Sequence, residues 1–289
     1  MSAAINNILS ELPLISEEEI RTELKIIRES EYHLSLASEK LLSCVDLTSL
    51  SASDNNRSIR KLCQKAAQMS ESGLPAVAAV CVYPVFVKVA SEILQKTKIK
   101  LASVAGGFPS SQIPLSLKLR EIKYAIDNGA DEIDVVIPVG RFLAREYSAV
   151  ADELCEIKAC VRDQKLKVIL ETGLLNTEEV QKATAITILS GADFIKTSTG
   201  KEGGGATLEK VFVMAKTLSF FLNKWPISLR AGIKPSGGIS EIADAANYAA
   251  IVAHILGEEY IYHSFFRIGT SRLTNKLIED ISPELKSYF

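Results

Sequence analysis

Ala192-Asp193-Phe194-Ile195-Lys196-Thr197-Ser198-Thr199-Gly200-Lys201 reads as a buried strand that ends in a lysine and opens at once into small hydroxyl residues and glycine. Burial disfavours the charged form of an amine, so a lysine with its stem in apolar surroundings gives up part of its proton affinity. That is the state in which an amine attacks a carbonyl. Taken alone, a lysine at a strand end more often snorkels, with its stem buried and its head in water. The rest of the chain has to decide between the two.

Seven further runs share the look of that segment: Leu41–Val45, Ala76–Val82, Leu101–Ala105, Glu132–Ile137, Leu166–Glu171, Ser228–Ile233 and Phe265–Gly269, with Ala192–Lys196 sixth in order. Most are continuously apolar rather than alternating, as expected of strands covered on both faces. Amphipathic stretches with helix punctuation lie between them. Asp54 precedes a stretch through Met69 that Gly73 closes. Ser110 or Ser111 is expected to cap Leu115–Asp127 before Gly129, and Asn176 or Thr177 to cap Glu178–Leu189 before Gly191. Strands alternating with helices imply parallel βαβ units, and eight such units in about 250 residues predict an α/β fold, a (β/α)8 TIM barrel. An open doubly wound sheet is disfavoured because no Gly-x-Gly-x-x-Gly follows the first strand. Residues 1–40, rich in Glu, Ile and Leu, are expected to form an N-terminal helical extension that plugs the barrel bottom or packs on a partner subunit; residues 41–289 form the barrel.

Composition narrows the function classes. Apolar residues make up 47% of the 289-residue chain and charged residues 24%, a soluble globular balance. A net charge of -2 gives none of the basic footprint of a nucleic-acid binder. No apolar run reaches the ~18 residues of a membrane span. The early acids Glu11, Glu17, Glu18 and Glu19 argue against a signal or transit peptide. Five cysteines without a Cys-x-x-Cys pair, and only three histidines, make a zinc cluster unexpected and fit a reducing cytoplasm.

In such barrels the active site is built at the C-terminal ends of the strands. That rule selects Asp46 at the end of the first strand, Cys81 near the end of the second, Asp134 within the fourth, and Glu171, Lys196 and Lys234 at the ends of the fifth, sixth and seventh. Two lysines and an aspartate converging on one place suit amine chemistry; the alternative is a set of buried charges that merely satisfy one another. A second set is glycine-rich: Thr199-Gly200-Lys201, Gly237-Gly238-Ile239-Ser240 and Gly269-Thr270-Ser271-Arg272 follow the last three strands. Glycines let backbone N–H groups approach an anion, and helix N-termini favour it. Barrels commonly hold a phosphate between the loops after strands seven and eight. These residues point to a small phosphate-bearing substrate and a nucleophilic amine, and leave the reaction open.

The ordered motifs Asp46-Leu47-Thr48, Val80-Cys81-Val82-Tyr83-Pro84, Gly107-Phe108-Pro109, Gly129-Ala130-Asp131-Glu132-Ile133-Asp134, Lys167-Val168-Ile169-Leu170-Glu171, Phe194-Ile195-Lys196-Thr197-Ser198-Thr199-Gly200, Gly232-Ile233-Lys234-Pro235-Ser236-Gly237-Gly238 and Arg267-Ile268-Gly269-Thr270-Ser271 cover almost the whole barrel. Together they resemble the deoxyribose-phosphate aldolase family of class I aldolases. The resemblance implies reversible cleavage of 2-deoxy-D-ribose 5-phosphate to acetaldehyde and D-glyceraldehyde 3-phosphate. It implies a Schiff base on Lys196, an ammonium on Lys234 that keeps Lys196 deprotonated, a proton relay through Asp134 and water, and Asp46 in support. It implies no cofactor or metal, sugar phosphate and aldehyde as partners, and a homodimer or higher homo-oligomer. Cys81 is then either a packing thiol or one that unsaturated aldehyde by-products alkylate. An ordinary lysine with pKa near 10.4 is only about 0.04% neutral at pH 7, and lowering its pKa to about 7 raises that fraction roughly a thousandfold, about 4–5 kcal/mol of differential interaction. Three places depart from the family pattern: Arg272 where a small residue is usual, the extra glycines of Lys201-Glu202-Gly203-Gly204-Gly205, and Ser236. Rival readings are a Schiff-base aldolase for another phosphorylated sugar, a sugar-phosphate-binding barrel without catalysis, and an isomerase using Glu171 as base.

Overall fold

The computed structural model describes residues 2–224 and 231–289. Eight parallel strands make one sheet: β1 Val45–Thr48, β2 Ala79–Val82, β3 Lys100–Ala105, β4 Glu132–Val136, β5 Lys165–Ile169, β6 Phe194–Lys196, β7 Gly232–Lys234 and β8 Ile268–Thr270. Each strand pairs with its sequence neighbour, and β1 pairs with β8. Bridges from Ile233 to Phe266 and from Ser236 to Gly269 join β7 to β8 and close the barrel.

The helices follow the chain as α1 Ser2–Ser10, α2 Glu17–Glu29, α3 Ser38–Leu42, α4 Asn56–Gln68, α5 Val87–Leu94, α6 Leu115–Asp127, α7 Val139–Leu143, α8 Tyr147–Val161, α9 Thr177–Leu189, α10 Leu208–Lys224, α11 Ile242–Leu256 and α12 Leu273–Ile281. Their apolar faces and the outer face of the sheet form the main core. Local chemistry explains several helix starts. Asn55 begins α4 with a capping box completed by Ser58, and Asn176 begins α9 with one completed by Glu179. Gly73 closes the turn after α4 in the left-handed conformation.

Several boundaries differ from those expected. Leu41 and Leu42 end α3 instead of opening the first strand, because both bury their side chains as a helical pair in the main core. Asp46 therefore lies within β1, not at its end. Asp54 does not cap α4; its carboxylate accepts from Ser49 and from the Ser51 N–H. Neither Ser110 nor Ser111 caps α6, whose N-cap position is Pro114, while Ser111 takes a positive φ and donates to the Val136 carbonyl. β5 stops at Ile169, and Glu171 sits beyond it in the left-handed region. Phe265 precedes β8, since Phe265 and Phe266 both bond back to the Tyr262 carbonyl as a turn. Residues Ser228 to Arg230 of the expected seventh strand lie outside the described residues.

The N-terminal helices pack on the outside of their own barrel, α1 on α8 and α9, α2 on α10 and α11. Ile5, Leu9, Ile15, Ile20 and Ile27 are buried in the main core. The Pro13 carbonyl accepts from Gln181, and Glu19 pairs with Lys216 at 3.1 Å. An amphipathic helix finds its apolar surface where the outer helices leave a groove, and these contacts seat the extension on its own barrel.

At Gly232, opposite Phe194 in register, an added Cβ would stand 2.5 Å from the Phe194 ring and 2.5 Å from the Phe265 carbonyl. Gly140, exposed in α7, has nothing within 4 Å of the same position. Gly232→Ala is expected to destabilise the fold by about 1–3 kcal/mol through overpacking, and Gly140→Ala to leave it unchanged or up to ~1 kcal/mol more stable. Urea unfolding of the two variants tests this; equal midpoints would contradict it.

Candidate active site

Side chains alternate across a strand, so residues two apart share a face. Glu132 and Asp134 of β4, Lys167 of β5, Phe194 and Lys196 of β6, Lys234 of β7 and Asp46 of β1 all face the barrel interior, joined there by Arg267 just before β8. Register places Asp134 beside Lys167 and Lys196 beside Lys234. The expected group of Lys196, Lys234, Asp134 and Asp46 is therefore brought together.

Asp134 Oδ2 accepts from both lysines, at 2.9 Å from Lys196 Nζ and 2.8 Å from Lys234 Nζ. Its other oxygen accepts from Lys167 Nζ at 2.8 Å. Lys234 also donates to Asp46 Oδ2 at 2.5 Å. Lys167 lies 2.7 Å from Glu132 and 3.2 Å from Asp46. Arg267 closes the bottom, 2.5 Å from Asp46 Oδ1 and 2.8 Å from Glu132 Oε1. All seven side chains are buried.

Charge counting singles out one amine. Asp46, Glu132 and Asp134 supply three negative charges; Lys167, Lys234 and Arg267 supply three positive ones. Lys196 is the fourth cationic side chain, and its carboxylate oxygen is already shared with Lys234. Burial, reinforced by the Lys234 ammonium, lowers the Lys196 pKa against the pull of Asp134. Burial also works against a charge on Lys234 and Lys167, but there the carboxylates outweigh it and both pKa values rise. Burial opposes charge on Asp134 as well, and is overcome by Lys167, Lys196 and Lys234, which hold the carboxyl well below its usual range. The same balance, through Lys167, Lys234 and Arg267, keeps Asp46 ionised.

Sequence reading passed over Lys167, Glu132 and Arg267. A signal was available: Glu132 stands two residues before Asp134, and Phe194 two before Lys196, so a charge at the same phase of a buried strand belongs to the same interior.

The opposite wall is apolar. Ala79 and Cys81 of β2, Ala102 and Val104 of β3, and Leu50 form a small buried cluster against Tyr83 and Phe108. Cys81 belongs to this wall, and burial pushes its thiol up to about 11, which keeps it protonated near neutrality.

Above Lys196 opens a cavity of about 450 Å³ lined by Thr199, Gly200, Lys201, Gly237, Gly238, Ser240, Gly269, Ser271 and Arg272, among others. Beside Lys196, two cations border it, Lys201 and Arg272, and among the described residues no carboxylate does. Helices α11 and α12 begin at this end of the barrel, so their N-terminal dipoles add to the positive potential. Lys201 spans the mouth and donates to the Leu50 carbonyl at 2.5 Å. Glu171 holds the same loop from below, accepting from the Thr199 hydroxyl at 2.5 Å. The extra glycines let loops interlock: a Cβ on Gly205 would stand 2.1 Å from the Gly237 carbonyl oxygen, and Ala206 N–H donates to the Ser236 carbonyl.

Two outcomes follow. Lys167→Met leaves three carboxylates without their common ammonium and is expected to cost about 3–5 kcal/mol, read by urea unfolding. Gly205→Ala is expected to drive the loops after β6 and β7 apart and weaken binding of inorganic phosphate at least about tenfold by titration calorimetry, ~1.4 kcal/mol; unchanged affinity would detach the loop contact from the anion pocket.

The profile of the DeoC/LacD family aldolases matches residues 40–270. The deoxyribose-phosphate aldolase of Homo sapiens is 38% identical over 256 residues, 84% of this chain and 80% of the human one. That of Bos taurus is 38% identical over 248 residues, 81% of this chain and 77% of its own. Among solved structures, deoxyribose phosphate aldolase from Aeropyrum pernix, described as a unique tetramer, superposes with a TM-score of 0.68 at 29% identity, covering 93% of this chain and 100% of that one. A barrel whose interior carries a paired-lysine site, matched by the family profile over most of its length, belongs to the DeoC/LacD family of aldolases, enzymes of the carbon–carbon lyase class.

Proposed function

We propose that this chain is a class I deoxyribose-phosphate aldolase, cleaving 2-deoxy-D-ribose 5-phosphate reversibly to acetaldehyde and D-glyceraldehyde 3-phosphate. The observation that carries the reading is Lys196, whose carboxylate oxygen is already shared with Lys234 and which opens onto a cavity bordered by Lys201 and Arg272 and, among the described residues, by no acid. The names of the relatives at 38% identity supply the substrate.

The proposed chemistry begins with the neutral Lys196 amine adding to the aldehyde carbonyl of the open-chain sugar. Loss of water leaves an iminium. Its positive charge is surplus to a network already balanced, with Asp134 shared among three amines, so it draws electrons strongly. The C3 hydroxyl loses its proton, the C2–C3 bond breaks, and the bonding pair moves into the iminium to form an enamine. Glyceraldehyde 3-phosphate leaves. The enamine takes a proton at C2, and water hydrolyses the new iminium to release acetaldehyde and free Lys196. Proton transfers of this kind need a group within hydrogen-bond reach. Asp134, held as a carboxylate at 2.9 Å from Lys196, serves with a water molecule. Lys234 keeps its proton and repels one from Lys196; Asp46 fixes Lys234. The apolar wall around Cys81 accommodates the methyl end of acetaldehyde. The phosphate belongs among Gly237, Gly238, Ser240, Gly269 and Ser271, with Thr199, Gly200, Lys201 and Arg272 at the rim.

A homodimer or higher homo-oligomer fits the same reading, supported by the tetrameric description of the Aeropyrum pernix enzyme. So does a cytoplasmic location, with five free cysteines. No helix among the described residues is long and apolar enough to cross a membrane.

Sodium borohydride in the presence of acetaldehyde is expected to leave an ethyl adduct on Lys196, located by peptide mass mapping and missing from Lys196→Ala. No adduct on folded parent protein removes the aldolase reading. Turnover of 2-deoxyribose 5-phosphate then separates this enzyme from Schiff-base aldolases of other sugars. Lys234→Leu removes one of three balancing cations, so Lys196 retains its proton to higher pH. The acid limb of kcat/KM should move up by at least about one pH unit, with kcat at pH 7 lowered by about a hundredfold or more; an unmoved limb would deny Lys234 this role.

A further inference from the structure

The floor of the barrel holds a charge pair that the proposed reaction does not use. Arg267 donates to both oxygens of Glu132, at 2.8 and 3.2 Å, and to Asp46, and its side chain also donates to the His263 carbonyl. Its guanidinium lies 5.4 Å from the centre of the Phe194 ring. Phe194 and Lys196 are two residues apart on one face of β6, which is one interior layer, about 7 Å of strand rise. The pair thus sits one layer beneath the reactive amine, walled from solvent.

We propose that Arg267 and Glu132 are positioning residues, a charge pair at the barrel floor whose balance decides whether Lys196 carries a proton. The inference rests on the aldolase reading of Lys196 and extends it to two side chains that never meet substrate. The groups facing Lys196 directly are Asp134 from β4, Lys234 from β7 and Cys81 from β2, with Glu171 beyond β5 as a further titratable neighbour. Among these, Asp134 and Lys234 are each tied to the floor: Asp134 through Lys167 to Glu132, Lys234 through Asp46 to Arg267. The interior is neutral only when Lys196 is uncharged. Removing the Arg267 charge leaves three carboxylates against two ammonium groups, and a proton on Lys196 restores neutrality. Removing the Glu132 charge leaves three cations against two carboxylates, and Lys196 is held neutral to still lower pH. A unit charge about 10 Å away in surroundings of effective dielectric ~20 moves a titration by about one pH unit.

The test uses the full chain with Glu132→Gln, Arg267→Met and the two combined. Two readouts are taken across pH: the rate at which an amine-selective acylating reagent modifies Lys196, followed by peptide mass spectrometry, and the acid limb of kcat/KM with 2-deoxyribose 5-phosphate. Glu132→Gln is expected to shift the Lys196 labelling midpoint down by about one unit, and Arg267→Met to shift it up by as much. The double variant, again balanced, is expected to return to within a few tenths of the parent. Shifts of the same sign in both single variants, or none, overturn the proposal, as does a double variant that fails to return. A purely structural pair would lower stability in all three without opposite shifts. If Arg267→Met does not fold, Arg267→Lys must keep the parental midpoint and Glu132→Gln alone must lower it, or the proposal fails. Labelling does not depend on turnover, so an inactive parent would refute the aldolase reading while the labelling shifts still decide this one.

Discussion

One carboxylate oxygen organises the interior of this barrel. Asp134 Oδ2 accepts from Lys196 and Lys234 together. A single carboxylate cannot stabilise two ammonium charges as well as it stabilises one, and the amine with the weaker claim on it is the one whose proton affinity falls. Lys234 wins because Asp46 is also bonded to it, and Lys196 has no other carboxylate. The difference between two lysines that are neighbours in register, on adjacent strands of similar length, comes down to the position of one aspartate on β1.

The barrel also divides its interior by sector. β1 and β4 to β7 bring charge, with Arg267 just before β8, whereas β2 and β3 bring alanine, valine and cysteine. A small apolar methyl can therefore lie against one wall while the reacting carbonyl lies against the other. The cationic, carboxylate-free end lies above, where α11 and α12 start. Each part depends on parallel strands sharing one polarity, since only then do all eight C-terminal ends and the following loops meet at the same mouth.

Much of this was legible in the chain. The eight strands and their order follow from continuous apolar runs alternating with capped helices. Lys196, Lys234 and Asp134 stand where the strand-end rule puts them. What was misread has common causes. Leu41-Leu42 is a two-residue apolar step that serves a buried helix as well as a strand, and periodicity does not separate the two over so short a run. The caps at Ser110 and Ser111 failed because Ser111 is held by Lys118 and the Val136 carbonyl, a tertiary contact that local pattern does not contain. Lys167, Glu132 and Arg267 were missed because their partners come from other strands: Lys167 becomes intelligible only when β1, β4 and β5 are seen to converge. Of the extra glycines, Gly204 and Gly205 give clearance to neighbouring loops, since an added Cβ would stand 3.1 Å from Gly173 and 2.1 Å from the Gly237 carbonyl oxygen, contacts that a linear chain does not display.

Buried charge of this extent is poor material for stability. Seven ionic side chains occupy space that, in other barrels, layers of Val, Ile and Leu fill. Desolvation takes back most of what their mutual attraction supplies, and well-packed apolar substitutes are often as stable or more so. Stability therefore does not explain why the network reaches one layer below Lys196 to Arg267. The proposed amine chemistry does. A lone lysine placed in a dry apolar barrel would also be neutral, but nothing nearby would hold the protons that leave and return, and the iminium would lack a carboxylate beside it. A balanced network gives a neutral amine in a polar, preorganised setting. Its members are fixed before substrate arrives, so little reorganisation is needed when charge appears on Lys196.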